Sequence, residues 1–252
     1  MENVVIARGL AIGRSTPKII VSVTQTQEQD ILQQARLLCK RQVDIVEWRA
    51  DYYPAVQNKE QLMALLQELR QALGETPLLF TYRTRAEGGR GEATGAAYQK
   101  ILCHAADSGH TDLVDLELLR FGAMGVDTLK YIRQTGAACI GSQHDFAKTP
   151  PKEAMLSALE QMLDLGADVA KLAVMPQTPE DVLRLLCITQ QASGWGKGPV
   201  ITMAMGRLGM VSRIGGGIFG SAATFGAMGQ ASAPGQPDVE QLQKCLALLY
   251  QD

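Results

Sequence analysis

A (β/α)₈ barrel is the fold this sequence predicts, on three observations. Short apolar, β-rich runs alternate with amphipathic helical stretches along the whole chain, eight such runs can be counted, and 252 residues shared among eight units leave about 31 for each. A strand with its crossover helix needs roughly 30 residues, and closed barrels of this kind run to roughly 250. An open doubly wound sheet shows the same alternation and is the structural rival.

Before the first run, residues 4–6 and 10–12 flank Arg8 and Gly9 and read as a β-hairpin capping the bottom of the barrel. The eight runs fall at 18–23, 43–48, 77–82, 111–116, 137–142, 168–174, 199–204 and, in small residues, 222–226. The intervening helices carry readable signals. Leu62, Leu65, Leu66, Leu69 and Leu73 follow helical spacing between a capping Asn58 and a stop at Gly74. Thr178 caps the helix that opens Pro179-Glu180-Asp181, with proline at its first position and acids in its first turn. The final helix, 237–250, puts Val239, Leu242, Leu246 and Leu249 on one face. No linker breaks the pattern, so residues 1–252 read as one barrel domain.

Composition narrows the function. Hydrophobic residues make up 46% of the chain and charged residues 20%, enough apolar material for a full core and against disorder. Lys and Arg total 24 against 26 Asp and Glu, which argues against a nucleic-acid binder or a polybasic membrane anchor and leaves a small molecule as the expected partner. The five cysteines include no C-x-x-C pair and read as reduced residues of a cytoplasmic protein. Neither His104 nor His110 has a metal-ligand partner at established spacing, so no metal is expected. An early Glu2 argues against a signal peptide, and the uncharged stretch 214–237 is too rich in Gly, Ser, Ala and Pro for a bilayer span.

The functional signal is charge where a barrel strand should be apolar. Parallel strands are covered on both faces and should be continuous apolar runs. Here Glu47 and Arg49 follow the second run, Arg83 and Glu87 the third, Glu117 the fourth, and His144 and Asp145 the fifth, while Lys171 interrupts the sixth. In a barrel all of them converge on the carboxyl-terminal rim, where such enzymes place their active sites. Glu47 with Arg49 also reads as a structural ion pair, and Glu117 as the partner of a neighbouring cation. Lys171 resists a structural reading, because an ammonium buried in that strand is costly unless paired or neutral. Near other cations it sheds its proton readily, as an amine nucleophile must. His144, one unit earlier, reads as a proton carrier. Gly215 to Gly220 spells G-x-G-x-x-G, but Arg213-Ile214 precedes it and a strand follows, so it is no dinucleotide fingerprint. Those glycines are expected instead to let the backbone wrap an anion held by Arg213. Residues 232–236 suit a mobile loop over the mouth, or a plain linker.

Taken together, Glu47-Trp48-Arg49, Thr81-Tyr82-Arg83 with Glu87-Gly88-Gly89, His144-Asp145-Phe146, Lys171 ahead of Met175-Pro176-Gln177, Ile201-Thr202-Met203, Ser212-Arg213, 220–226 and Ser232-Ala233-Pro234-Gly235-Gln236 resemble the type I 3-dehydroquinate dehydratases of the shikimate pathway. The resemblance runs from about Lys18 to the carboxyl terminus. It implies a (β/α)₈ lyase, usually a homodimer, that converts 3-dehydroquinate to 3-dehydroshikimate with no metal or cofactor. By the same resemblance Lys171 forms the imine, His144 is general acid and base, and Glu87 orients and polarises it. Arg213 is then the carboxylate clamp, Ser232 and Gln236 belong to a closing loop, and Ser22, Glu47, Arg49 and Arg83 hold hydroxyls or shape the pocket. Met203, Met205 and Phe225 would be apolar walls. Two rivals stay open: a different imine-forming barrel enzyme, such as a sugar-phosphate aldolase, and a barrel kept as a binding or regulatory module.

Overall fold

A computed structural model describes residues 4–14 and 16–250, so the segment around Glu2 lies outside the described residues. Strands β1 (Val5–Ala7) and β2 (Leu10–Ile12) pair antiparallel. Their two-residue turn has positive φ at both Arg8 (46°) and Gly9 (78°), the backbone twist that suits a tight hairpin. Eight parallel strands follow: β3 (Lys18–Val23), β4 (Ile45–Arg49), β5 (Leu78–Thr81), β6 (Leu113–Leu116), β7 (Ala138–Asp145), β8 (Val169–Val174), β9 (Val200–Ala204) and β10 (Ala223–Gly226). They run in sequence order with β10 returning to β3. The remaining seam, β9 against β10, is held by a bridge from Val200 to Ser221 and by the Ala222 amide donating to the Val200 carbonyl at 2.8 Å. The doubly wound alternative is thereby excluded. Helices α1 (Glu28–Lys40), α2 (Lys59–Leu73), α3 (Ala96–Asp107), α4 (Gly122–Gln134), α5 (Lys152–Asp164), α6 (Pro179–Ser193), α7 (Met210–Gly215) and α8 (Val239–Tyr250) surround them. None is long and apolar enough to cross a membrane.

Because successive side chains of a strand point to opposite faces, each strand writes two messages at once. One set packs outward against the helices: Val21 and Val23, Val46 and Trp48, Leu78 and Phe80, Val114 and Leu116, Cys139, Ala170 and Leu172. The other faces the barrel axis, where Ile20, Ile45, Leu79, Leu113, Ile140, Val169, Ile201 and Ala223 form a separate apolar cluster. Ala7 and Ile12 of the hairpin join that inner cluster, and Arg8 Nε reaches Asp112 Oδ1 at 3.0 Å, so the hairpin does plug the lower end. Cys139 belongs to the outer set, which takes it away from the axis and from His144.

The helix signals hold except at Leu249, which is exposed while Val239, Leu242 and Leu246 are buried. Asn58 caps α2 by accepting from the Gln61 amide at 3.1 Å. The Asp181 carboxylate accepts the Thr178 amide at 3.2 Å at the start of α6. The last helix begins two residues later than expected, where Asp238 Oδ1 accepts the Glu240 amide at 3.0 Å. Two expectations fail. The fifth barrel strand does not stop at 142 but runs through His144 and Asp145, which pair with Ala173 and Val174 of β8. Nor does the Gly-rich stretch wrap an anion: 210–215 is helix α7, and Gly216–Phe219 is a 3-10 turn packed away from the site. A Cβ on Gly217 would lie 2.2 Å from Tyr250 Oη and 2.6 Å from Pro17 Cγ, so glycine there serves close packing of the chain ends.

This packing makes neighbouring glycines respond oppositely. Gly217→Ala should lower stability by about 1 to 3 kcal/mol through overpacking. Gly215→Ala has open space at its Cβ and ordinary helical backbone, so it should be neutral or stabilising by up to about 1 kcal/mol. Thermal melts of the two variants check this, and equal destabilisation by both would contradict the packing described.

Candidate active site

Two residues further along each inward-facing row, the apolar layer gives way to polar groups. Above Ile20 comes Ser22, above Ile45 Glu47 and Arg49, above Leu113 Asp115, above Ile140 Ser142 and His144, and above Val169 Lys171. Thr81 follows Leu79 on β5, and Arg83 lies just beyond the end of that strand. The strand register sets Ser142 beside Lys171 and Thr81 beside Asp115. A cavity sits on this layer, lined by Glu47, Arg49, Thr81, Arg83, Glu87, Gly88, His144, Phe146, Lys171, Ala173, Met203, Met205, Arg213, Phe225, Ser232, Ala233 and Gln236. Of the residues the sequence nominated, Ser22, Glu117 and Asp145 are not on its wall. The Ser22 hydroxyl lies behind, donating to Glu47 and accepting from Ser232 Oγ at 2.9 Å.

Arg83 organises the floor. Its Nη1 lies 3.1 Å from Glu87 Oε2, 3.3 Å from Glu117 Oε1 and 3.0 Å from Ser142 Oγ, and its Nη2 lies 2.6 Å from Asp115 Oδ1. The side chain is buried, and burial works against its charge, but Asp115, Glu87 and Glu117 outweigh that and hold its pKa above the ordinary value. Glu117 is wholly structural: its carboxylate also accepts from the Thr84 amide (2.8 Å) and hydroxyl (2.7 Å). The structural Glu47–Arg49 pair, the alternative reading of those two charges, does not form. Arg49 instead grips Asp51 through two 2.8 Å bonds, a bidentate pair, while Glu47 takes the Ser22 and Thr81 hydroxyls.

Lys171 is 3% exposed, and its Nζ lies 3.1 Å from Asp115 Oδ2 and 4.5 Å above the centre of the Phe225 ring. A lysine set among cations was expected. The charge it actually touches is a carboxylate, because Asp115 stands between it and Arg83. Asp115 is the functional residue that sequence reasoning passed over. Its signal was present as a lone acid among Leu113, Val114 and Leu116, masked by the Glu117 that follows.

His144 Nδ1 is 2.9 Å from Glu87 Oε2, and the same oxygen accepts the His144 backbone amide at 3.1 Å. Burial pushes the imidazolium well below its ordinary value, helped by Arg83, Lys171 and Arg49. Burial also pushes the Glu87 carboxyl up, with Glu117 and Asp115 adding to it and Arg83 opposing. Both shifts favour the neutral forms, while Arg83 Nη1 and the His144 amide both donate to the same Glu87 oxygen. With Nδ1 occupied, Nε2 is the ring nitrogen left to the cavity.

Arg213, on α7 and also lining the cavity, is 1% exposed and has no carboxylate partner among the described residues. Its Nη2 donates to the Pro234 carbonyl at 3.1 Å, its Nε is unpartnered, and burial alone brings it down to about 10. It remains a cation at neutral pH, desolvated and lacking an anion. The 232–236 loop is drawn over it: the Gly206 amide donates to Pro234 O at 3.0 Å, and Gln236 Oε1 accepts the Ser232 amide at 2.9 Å. Gly235 (φ 75°) allows this approach, since a Cβ there would sit 2.2 Å from the Gly206 carbonyl oxygen. The loop is no plain linker.

Chemically, the cavity presents a buried amine beside an aromatic ring, a carboxyl–imidazole pair two residues up the neighbouring strand, and a guanidinium with no carboxylate partner among the described residues. Known proteins share the whole arrangement's framework. A family model described as type I 3-dehydroquinase matches residues 19–252. The 3-dehydroquinate dehydratase of Salmonella paratyphi B is 41% identical over 248 residues, 98% of each chain. A crystal structure of the 3-dehydroquinate dehydratase of Geobacillus kaustophilus superimposes with a TM-score of 0.95 at 37% identity, covering 100% of both chains. The type I enzyme of Clostridium difficile, solved with covalently modified comenic acid, matches with a TM-score of 0.95 at 39% identity over 100% of this chain and 99% of that one. With one barrel, one sequence pattern and near-complete coverage in agreement, the chain belongs to the type I 3-dehydroquinase family of hydro-lyases.

Proposed function

We propose that this chain dehydrates 3-dehydroquinate to 3-dehydroshikimate, the third step of chorismate biosynthesis, through an imine on Lys171. The observation that carries the reading is two buried basic side chains on one cavity: Lys171, and Arg213, which has no carboxylate partner among the described residues. A ring ketone bearing a carboxylate satisfies both at once. The Arg213 guanidinium takes the carboxylate in a charge-assisted bond and fixes the ring's orientation. Lys171 Nζ, having released one ammonium proton, adds to the C3 carbonyl; that proton departs with the carbinolamine hydroxyl as water, and a protonated imine remains. That C=N bond draws electrons from C2, and His144 Nε2, steadied by Glu87, removes the C2 proton to give the enamine. The enamine electrons return to expel the C1 hydroxyl, which His144 protonates as it leaves as water. Hydrolysis of the imine then frees the product and Lys171. The water spent there balances the one lost on condensation, so the net change is one water eliminated. A single base serving both proton transfers makes the elimination syn.

Glu47, Arg49, Thr81 and Arg83 border the cavity where ring hydroxyls would lie, and Met203, Met205 and Phe225 supply its apolar wall. Ser22, behind Glu47, acts through that carboxylate and through Ser232. Ser232 and Gln236 close the mouth. The sugar-phosphate rival fits less well, since a dianionic phosphate calls for more donors than one guanidinium whose neighbours are Met203 and a carbonyl. The family resemblance and the match over 19–252 also support reading residues 1–252 as one barrel domain acting as a cytoplasmic homodimer, with the Lys171 amine doing the chemistry and no cofactor.

Treating the protein with 3-dehydroquinate and borohydride, then mapping peptides by mass, should place one reduced adduct on Lys171. An adduct on another residue, or continued turnover with none, contradicts the imine. Arg213→Ala should lose at least tenfold in kcat/KM, the equivalent of a charged hydrogen bond worth roughly 1.5 to 3 kcal/mol. The loss should vanish for an analogue lacking the carboxylate. A loss of equal size on that analogue would show that Arg213 serves the pocket's shape and not the carboxylate.

A further inference from the structure

Asp115 has an unusual set of partners for a buried acid. It sits mid-strand on β6, 2% exposed, with Arg83 Nη2 and Ser142 Oγ each 2.6 Å from Oδ1 and Lys171 Nζ 3.1 Å from Oδ2. One oxygen is thus saturated by fixed donors, and the other is given to the amine alone. Among the described residues it is the only carboxylate in contact with Lys171 Nζ. Burial opposes its charge, but Arg83, Lys171 and the Ser142 hydroxyl more than offset it and hold the carboxyl below the usual range, so it stays an anion and does not take up the amine's proton.

An ammonium turned into a protonated imine keeps a positive charge on nitrogen but falls from three N–H bonds to one. The remaining N–H has one charged acceptor within reach. We propose that Asp115 is the counter-ion of the Lys171 iminium: its Oδ2 takes the single N–H, holds the C=N bond in one rotational setting against the Phe225 ring, and keeps the imine protonated. Arg83 and Ser142, bonded to the other oxygen, set how strongly it does so. The balance matters because C2 deprotonation discharges the iminium to a neutral enamine. A bare carboxylate would over-stabilise the cation, and no carboxylate would leave the imine unprotonated and unreactive. The arrangement therefore pairs an anion with a tuner. This inference rests on the imine reading above.

The test is borohydride trapping followed across pH, since borohydride reduces the protonated imine. Asp115→Asn keeps the side chain's shape and removes its charge. At neutral pH its adduct yield on Lys171 should fall at least tenfold, recovering as the pH is lowered. Ser142→Ala removes one donor from the carboxylate, so the iminium should persist to higher pH and the trapping midpoint should move upward. It supplies the decisive reading if circular dichroism shows that the Asn variant does not fold. Folded variants that trap with the parent's yield and midpoint, or Ser142→Ala shifted downward, overturn the counter-ion. A parent protein that forms no Lys171 adduct at all overturns the imine reading, and this inference with it. That outcome is distinct from a parent that traps normally beside unshifted variants.

Discussion

The Arg83 guanidinium, buried among Glu87, Asp115 and Glu117, is the contact on which the rest of the site depends. Taking ions out of water costs several kcal/mol each, and mutual attraction repays it only where the geometry is good and the remaining donors are used. Here one cation serves three acids whose own second partners are a histidine, a lysine and a backbone turn. Asp115 gives one oxygen to Arg83 and the other to Lys171, Glu87 shares one oxygen between Arg83 and the His144 ring, and Glu117 binds Thr84. Removing the guanidinium would leave three buried carboxyls crowded together. The imidazole and the amine would then lose both their electrostatic setting and their positions.

Such a cluster is affordable only because of where the barrel puts it. The inner apolar layer, from Ile20 round to Ala223, and the hairpin residues Ala7 and Ile12 fill the lower end, while Trp48, Phe80 and their neighbours pack the helical shell. The strands are rigid and regular, with side chains of one row spaced two residues apart. Extending an inward row by one step carries a side chain from core to site: Val169 is core and Lys171 is floor, Ile140 is core and Ser142 and then His144 are site. The chemistry rests on strands, and the loop at 232–236 supplies closure over Arg213.

Much of this is legible in the sequence because the same two-residue period governs it. Charges at Glu47, Arg83, His144 and Lys171 interrupt apolar runs, and every one of them lines the cavity. Helix limits were readable where caps are local, as at Asn58 and Thr178. What escaped depends on partners distant in sequence. Asp115 looked like strand filling because its meaning lies in Lys171, 56 residues away. Arg49 pairs with Asp51, which carries no period of its own, in place of Glu47, whose partners come from β3 and β5. The end of β7 was drawn short at 142, since polar Gln143 and His144 resemble a turn until β8 is seen alongside. The glycines at 215–217 suggested a ligand, whereas Gly217 is pressed against Pro17 and Tyr250 at the far ends of the chain.

The proposed chemistry divides the labour: Lys171 captures the substrate and His144, held by Glu87, moves its protons. Mass spectrometry of His144→Ala mixed with 3-dehydroquinate tests it most directly. The variant should lose most of its turnover, since general acid and base help is typically worth roughly 10² to 10⁴ in rate, yet it should still load substrate or product onto Lys171. Near-normal turnover in that variant, or an inactive protein that forms no adduct, would contradict the division.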